Sequence, residues 1–155
     1  MLSDLLKKEN IILNLESTEK EELFAEMVEA IIHIDSSLNR DAVLSALFSR
    51  EELMSTCVKK GIAIPHASIS GIEKTYCILG LSRAGIDYTD EGDSSGCEMV
   101  HVVVMFIFDS KNSNEHLKNL ACCAHDFQSE EFYENLLKAE SQEEVLNIVR
   151  EFESQ

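Results

Sequence analysis

Basic residues are scarce in this sequence. Lysine and arginine together number 13 against 29 aspartate and glutamate residues, so the 155-residue chain carries a formal net charge of −16. The electrostatic field of this negative charge repels the phosphates of nucleic acids and the headgroups of anionic lipids. We therefore expect neither nucleic acid nor a membrane surface as a direct partner, whereas a protein with a basic or mixed face is compatible with this charge.

Long hydrophobic runs are also lacking. The most apolar run, residues 99–108 with the sequence MVHVVVMFIF, is too short to span a bilayer. The N-terminal segment shows no long apolar stretch after a basic region. Together with a globular composition and a length suited to one domain, these features predict a soluble cytoplasmic protein with a single domain over residues 1–155.

Paired cysteine motifs are missing as well. The sequence has five cysteines but no C-x-x-C pair, and this odd number does not suggest a disulfide framework. We therefore predict buried, reduced thiols. The histidines, too, lack further ligands at a spacing that a metal site requires, so neither a metal nor a cofactor is expected. The five cysteines are Cys57, Cys77, Cys97, Cys122 and Cys123.

Apolar side chains recur at helical spacing in two regions of the chain, before residue 53 and after residue 112. The first predicted helix buries Leu23, Phe24, Met27, Val28 and Ile31, and the next one ends around Glu52. Side chains that accept hydrogen bonds from the first turn of a helix precede each apolar pattern. The predicted capping residues are Thr18, Asn39, Ser113, Ser129 and Ser141.

Three apolar segments between these helical regions are predicted to be strands. Residues 62–64 form a strand that ends at Pro65, because proline lacks the N–H that a central strand needs. Residues 76–81 form the second strand, the glycine-containing segment 83–96 is predicted to be a loop, and residues 100–108 form the third. A strand that is apolar on both faces must be central. The sequence therefore predicts an α/β fold with a mixed central β-sheet flanked by helices on both faces.

Two histidines occupy positions that suit chemistry. His66 directly follows Pro65 at the mouth of a strand, where a restricted φ would hold the imidazole on a short turn with one edge exposed. His116 lies near the start of the helix that Ser113 is predicted to cap, where backbone N–H groups favour an anion. Taken separately, each histidine is more often a solvated surface residue than a functional one.

Taken together, several segments resemble a known family. Residues 50–56 contain Arg50-Glu and Ser-Thr56, residues 61–67 read Gly-Ile-Ala-Ile-Pro-His-Ala, and residues 114–120 read Asn-Glu-His-Leu-Lys-Asn-Leu. In this order, with Gly-Ile-Asp-Tyr at 85–88, they resemble the enzyme IIA domains of the mannitol, fructose and nitrogen-regulatory type in the phosphoenolpyruvate-dependent phosphotransferase system. The chain departs from the family pattern at Cys57, where many relatives have glycine, and at Met99, where a proline is expected.

The resemblance implies a phosphoryl carrier that needs no metal. His66 would accept phosphate on Nε2 from the histidine-containing phosphocarrier protein. His116 would stabilise the phosphate, Arg50 would offset its charge, and Thr56 would offer a hydroxyl. Phosphoryl transfer of this kind depends mainly on positioning and on stabilising the equatorial oxygens, so one nucleophilic imidazole and a few donors are sufficient.

The destination of the phosphate is left open by the sequence. The free-standing length favours a nitrogen-regulatory enzyme IIA, whose phosphorylation controls a kinase or transporter. A sugar-specific enzyme IIA would instead donate to an enzyme IIB during fructose or mannitol uptake. A third alternative is a protein-binding regulator without phosphotransfer activity. Two further signals are interpreted as structural: His101 as a core histidine, and the acidic segment with Asp90, Glu91 and Asp93 as a solvated loop.

Overall fold

The structure, a computed structural model, describes residues 1–89 and 97–155; the acidic segment predicted to be a loop lies largely outside them. The helices are α1 (Leu2–Leu5), α2 (Lys20–Ile34), α3 (Arg40–Leu53), α4 (Ser113–Asp126), α5 (Glu130–Lys138) and α6 (Gln142–Glu153). The strands are β1 (Ile11–Ile12), β2 (Cys57–Lys59), β3 (Gly61–Ala63), β4 (His66–Ile69), β5 (Tyr76–Asp87) and β6 (Met99–Asp109). A 3-10 turn covers Lys8–Asn10. Within the described ranges, no helix is both long and apolar enough for a membrane crossing.

Strand β6 is the centre of a mixed sheet. The strand order is β1-β5-β6-β3-β2, and β4 also pairs with β6, beyond the end of β3. Strand β6 runs antiparallel to β5 and parallel to β3 and β4. The long apolar strand predicted from the sequence is therefore central, as expected.

The side chains of β6 alternate between two apolar clusters, because successive residues of a strand point to opposite faces. Val102, Val104 and Phe106 pack with residues of α4, α5 and α6, whereas Val103 and Met105 pack with residues of α2 and α3. Helices thus cover both faces of the sheet. The predicted α/β class, with a mixed sheet between helical layers, is confirmed.

Two predicted helix starts are wrong. Helix α2 begins after Glu19, because the carbonyl of Thr18 accepts the N–H of Asp87 at 2.8 Å and keeps this segment extended against the sheet. Ser113 is already the first residue of α4. The other three predicted capping side chains each accept an N–H bond at 3.1 Å: Asn39, Ser129 and Ser141.

The strands differ from the prediction in length and number. Strand β5 continues to Asp87 through a register shift between Leu81 and Ile86, so the beginning of the predicted loop over 83–96 is in fact strand. Strands β2 and β4 were not predicted, since three or four residues carry too little alternation to be recognised. Strand β3 ends at Ala63, one residue earlier than predicted, and β4 begins directly after Pro65, whose carbonyl accepts the N–H of Phe106 at 3.0 Å.

The prediction of buried, reduced thiols is wrong for three of the five cysteines. Cys57 in β2 and Cys97 before β6 are joined as a disulfide, although 40 positions separate them in sequence. They meet because β3 carries β2 to the side of the sheet where β6 begins, which cysteine spacing cannot reveal. Cys122 is exposed, whereas Cys77 and Cys123 are buried as predicted.

Candidate functional site

His66 is the first residue of β4 and lies half-buried at the edge of the cluster around Phe108. Its Nδ1 lies 2.8 Å from the carbonyl oxygen of Ile64. A carbonyl oxygen only accepts hydrogen bonds, so Nδ1 must carry the proton of this contact. In the neutral imidazole the lone pair is then on Nε2, which makes Nε2 the nucleophilic nitrogen.

The backbone on both sides of Pro65 fixes the carbonyl that orients His66. The N–H of Ile64 donates to the carbonyl of Thr56 at 2.9 Å, and the N–H of Phe106 donates to the carbonyl of Pro65 at 3.0 Å. Since proline also restricts φ, the peptide that carries the Ile64 oxygen has little freedom. The imidazole is therefore held in one tautomer by a backbone that is itself bonded on both sides.

The electrostatic surroundings keep His66 neutral. Burial lowers the pKa of His66 below its usual range, and the positive charge of Arg50 lowers it further. The hydrogen bond to Ile64 and the negative charge of Glu51 oppose these effects and raise the pKa. The net direction is downward, so the unprotonated Nε2 that a nucleophile requires predominates near neutral pH.

Arg50 lies in the last turn of α3, close enough to His66 to affect its pKa. One of its guanidinium nitrogens, Nη1, donates to the carbonyl of Met54 at 2.8 Å. This bond holds the side chain at the C-terminal end of α3. The structure thus brings together the arginine and the histidine that were selected from the sequence.

Thr56 is buried, and its hydroxyl is already engaged. The Oγ1 lies 2.6 Å from Oε2 of Glu51 and 2.7 Å from the hydroxyl of Tyr88. Because a carboxylate only accepts, Thr56 donates its proton to Glu51 and accepts the proton of Tyr88. The hydroxyl has no second proton for a phosphoryl oxygen.

Glu51 is a site residue that the sequence reasoning missed. Its carboxylate is 6% exposed, accepts the N–H of Thr56 at 3.0 Å and pairs with Nζ of Lys20 at 3.1 Å. A signal for this burial exists in the sequence, because Val43, Leu47 and Glu51 follow one another at a spacing of four residues on the apolar face of α3. An acidic residue in such a stripe requires a buried partner.

His116 is also buried, in the first turn of α4. Its Nε2 donates to the carbonyl of Asp109 at 2.9 Å, and its ring stacks on Phe108 with 4.3 Å between the ring centroids. Its Nδ1 is buried without a hydrogen-bond partner among the described residues. Such a group is costly unless a ligand satisfies it.

The ring of Phe108 connects the two histidines. The centroid of Phe108 is 6.5 Å from that of His66 and 4.3 Å from that of His116. This arrangement follows from the sheet, since β4 pairs with β6 so that His66 lies opposite Phe106, two residues before Phe108. The neighbour of His116, Leu117, is 64% exposed.

His101 lies away from these contacts, on β6, with its Nδ1 2.8 Å from the carbonyl of Ser82. This satisfied, half-buried position agrees with the structural role predicted for it. Among the described residues, no group of three or more His, Cys, Asp or Glu side chains could hold a metal ion.

Comparison with known proteins identifies the family. The family described as "Phosphoenolpyruvate-dependent sugar phosphotransferase system, EIIA 2" matches residues 4–152. This chain belongs to that enzyme IIA family. Enzyme IIA components are phosphoryl carriers, so the chain is a phosphotransferase component.

Individual relatives support this assignment. The chain is 33% identical over 150 residues to the PTS system fructose-specific EIIABC component of Bacillus subtilis, covering 97% of this chain but only 23% of that protein. It is 32% identical over 151 residues to the mannitol-specific phosphotransferase enzyme IIA component of Staphylococcus aureus, covering 97% of this chain and 98% of that protein. The crystal structure of the nitrogen regulatory protein IIA-Ntr from Neisseria meningitidis aligns with a TM-score of 0.85 and 28% identity, covering 96% of this chain and 98% of that one.

Proposed function

We propose that this chain carries a phosphoryl group on Nε2 of His66. The observation that supports this most strongly is the 2.8 Å contact between Nδ1 and the Ile64 carbonyl, which leaves the lone pair on Nε2. In the reaction Nε2 attacks phosphorus, the N–P bond in the donor protein breaks, and the donor imidazole leaves. A lowered pKa supports the same role, because it keeps the nucleophile unprotonated.

His116 and Arg50 are proposed to stabilise the phosphoryl group. The unsatisfied Nδ1 of His116 would donate to a phosphoryl oxygen once the ring is protonated, while its Nε2 stays bonded to Asp109. The guanidinium of Arg50 already acts on His66 electrostatically. We propose that Thr56 acts indirectly, through the carbonyl that accepts the N–H of Ile64.

The phosphate donor is proposed to be the histidine-containing phosphocarrier protein. Exposed apolar side chains occur next to site residues: Leu53 and Met54 follow Arg50 by three and four positions, and Leu117 follows His116. Such side chains suit a protein partner, since protein interfaces have an apolar centre. We further propose that the chain forms one domain over residues 1–155 and acts in the cytoplasm.

Two alternative roles are proposed for the phosphorylated chain. A sugar-specific role, with transfer to an enzyme IIB, is favoured by the relatives named for fructose and mannitol at 33% and 32% identity. A regulatory role, in which the phosphorylation state controls a kinase or transporter, is favoured by the structural similarity to a nitrogen regulatory protein. Transfer from the phosphorylated chain to an enzyme IIB of the same cell would select the first.

The proposal is tested by incubating the protein with phosphoenolpyruvate, enzyme I and the phosphocarrier protein. We expect an acid-labile, base-stable phosphate whose position by mass spectrometry is His66. His66→Ala should abolish the label, whereas the matched control His125→Ala, at an exposed position of α4, should keep it. An unlabelled native protein, or full labelling of His66→Ala, would contradict the proposal.

A further inference from the structure

Two cysteines, one in β2 and one just before β6, meet in the structure. Cys57 and Cys97 are joined through their sulfurs, and their Cα atoms are 6.3 Å apart, within the range that a disulfide spans. The carbonyl oxygen of Lys59 lies 3.2 Å from the sulfur of Cys57 and 3.6 Å from that of Cys97. When the pair is reduced, this oxygen is available to both thiols as an acceptor.

The remaining cysteines do not share these properties. Cys77 and Cys123 are buried, and burial raises the pKa of both thiols, which makes them poor nucleophiles. Cys122 is exposed, but the structure does not pair it with another cysteine. Cys57 is half-buried, so part of its side chain is reachable by a small reagent, and the buried Cys97 lies next to it as a resolving thiol.

A short path of backbone bonds leads from Cys57 to His66. The peptide bond between Thr56 and Cys57 supplies the carbonyl that accepts the N–H of Ile64 at 2.9 Å. The carbonyl of Ile64 in turn accepts the Nδ1 proton of His66 at 2.8 Å. In addition, Cys57 lies opposite Ala63 in the β2–β3 pair. Any displacement of the Cys57 backbone therefore reaches the group that orients the nucleophile.

We propose that Cys57 and Cys97 form a reversible dithiol–disulfide site that controls the rate of phosphoryl transfer at His66. This inference rests on the proposed phosphoacceptor role of His66. In the oxidised state a covalent bond ties β2 to the start of β6, so the Thr56–Cys57 peptide cannot adjust when a doubly charged phosphoryl group arrives. The same covalent bond restrains Val58, which lies between Cys57 and Lys59 and is 46% exposed, so this residue cannot adjust its position when another protein docks. Oxidation thus slows phosphate acceptance.

The oxidant is a low-molecular-weight disulfide. The thiolate of Cys57 attacks one sulfur of the reagent, forms a mixed disulfide and releases one reagent thiolate. The thiolate of Cys97 then attacks the sulfur of Cys57, which breaks the mixed disulfide and releases the second reagent thiolate. In total two cysteine thiols are oxidised, one external disulfide is reduced to two thiols, and the two protons are taken up by the released thiolates.

The test uses the full chain carrying Cys122→Ser, which removes the exposed competing thiol. Glutathione disulfide is the probe, and the Cys57–Cys97 bond is measured by peptide mapping under non-reducing conditions. We expect phosphate acceptance from the phosphocarrier protein to be slower in the oxidised form by about threefold or more, a size typical of coupling through a packed network. Dithiothreitol should restore the rate, and Cys57→Ser and Cys97→Ser should abolish the response to glutathione disulfide.

A second readout separates this inference from the proposed function. The imidazole resonances of His66 in NMR should shift between the reduced and oxidised forms, whether or not phosphate is transferred. If the reduced protein accepts no phosphate, the proposed function fails, but the His66 shift still tests the coupling. Complete disulfide formation with an unchanged transfer rate and unchanged His66 resonances would overturn the inference. So would a failure of glutathione disulfide to form this bond in the folded protein.

Discussion

The carboxylate of Glu51 accepts two hydrogen bonds from Thr56, one from the backbone N–H at 3.0 Å and one from the hydroxyl at 2.6 Å. The same carboxylate pairs with Lys20, whose Nζ also lies 4.1 Å from the ring centroid of Tyr88. Glu51 therefore links α2, α3 and the residue whose carbonyl supports Ile64. A buried carboxylate at this point affects both the stability of the fold and the titration of His66.

Glu51→Gln should lower the pKa of His66 further, because the negative charge of Glu51 raises it in the native protein. The substitution also removes the carboxylate that pairs with Lys20 and accepts two hydrogen bonds from Thr56. Loss of one member of a buried ion pair should reduce the free energy of unfolding by on the order of 3 kcal/mol. The pKa is measured by NMR titration and the stability by urea denaturation.

The matched control is Glu52→Gln, since Glu52 is the exposed neighbour of Glu51 on α3. It should leave both quantities within error of the native protein. A His66 pKa that is unchanged or higher in Glu51→Gln would contradict the electrostatic role given to this carboxylate.

Arg50→Gln should have the opposite effect on His66. The charge of Arg50 lowers the pKa of His66, so its removal should raise that pKa toward the ordinary value. More of the imidazole is then protonated at about pH 6, and phosphate acceptance at that pH should fall more than at about pH 8. The measurements are an NMR titration of His66 and the pH profile of the transfer rate.

The control for this substitution is Arg40→Gln, at the opposite end of α3, where Arg40 pairs with Glu29. It should not move the His66 titration. A downward shift of the His66 pKa in Arg50→Gln would contradict the electrostatic role given to Arg50.

The lowered pKa of His66 also has a consequence for folding. A histidine whose folded pKa is lowered binds fewer protons when folded, so its contribution to stability falls as the pH drops below about 6.5.

The sequence was informative where a pattern is local. The apolar face of α2 and the segment from Gly61 to His66 were both recognisable, because helical periodicity and a family motif span only a few consecutive residues. Strand β4 was missed, since its four residues are defined by pairing with β6 and not by their own alternation. The Cys57–Cys97 contact was missed for the same physical reason, as it depends on strand order.

The candidate site could be predicted from the sequence only where its residues belong to a local motif. The family motif indicated His66, but the hydrogen bonding of Thr56 depends on Glu51, five positions earlier, and on Tyr88, 32 positions later. The acceptor to which a hydroxyl donates its proton is decided by the groups that the fold brings near it. Such contacts are tertiary, so a hydroxyl selected by its position in a motif proved to be engaged in the core.

Asp126→Asn should stabilise the protein at neutral and alkaline pH. Burial raises the pKa of Asp126 to about 6, and the nearby carboxylate of Glu153 adds to the effect, whereas His125 and the N-terminus oppose it. A raised folded pKa means that the native state binds more protons, so stability falls as the pH rises from about 4 to about 6. The asparagine variant does not ionise at this position, so its stability does not fall in this way as the pH rises. Because Asp126 is partly solvated, the expected gain above pH 6 is about 1 kcal/mol.

Urea denaturation at pH 4 and at pH 8 measures this difference, with Glu134→Gln at an exposed position of α5 as the control. The gain of Asp126→Asn should be present at pH 8 and absent at pH 4. A gain of equal size at both pH values would instead indicate better packing or hydrogen bonding of the amide, independent of charge.

Gly61→Ala should destabilise the protein more than Gly71→Ala, although both glycines have nearly the same left-handed backbone, with φ of 89° and 87°. A Cβ in this conformation costs about 1–2 kcal/mol at either position. At Gly71 the Cβ would meet no atom within 4 Å, whereas at Gly61 it would lie 2.5 Å from the hydroxyl oxygen of Tyr133. The difference between the two variants therefore isolates the steric contact.

The double variant Gly61→Ala with Tyr133→Phe tests the origin of that difference. Removing the hydroxyl should recover part of the excess loss in the free energy of unfolding, measured relative to Tyr133→Phe alone. The aromatic carbon that bore the hydroxyl would still lie 3.1 Å from the new Cβ, so recovery should be incomplete. Equal losses for Gly61→Ala and Gly71→Ala would mean that the ring of Tyr133 moves aside freely, and that α5 does not hold the β2–β3 turn in place.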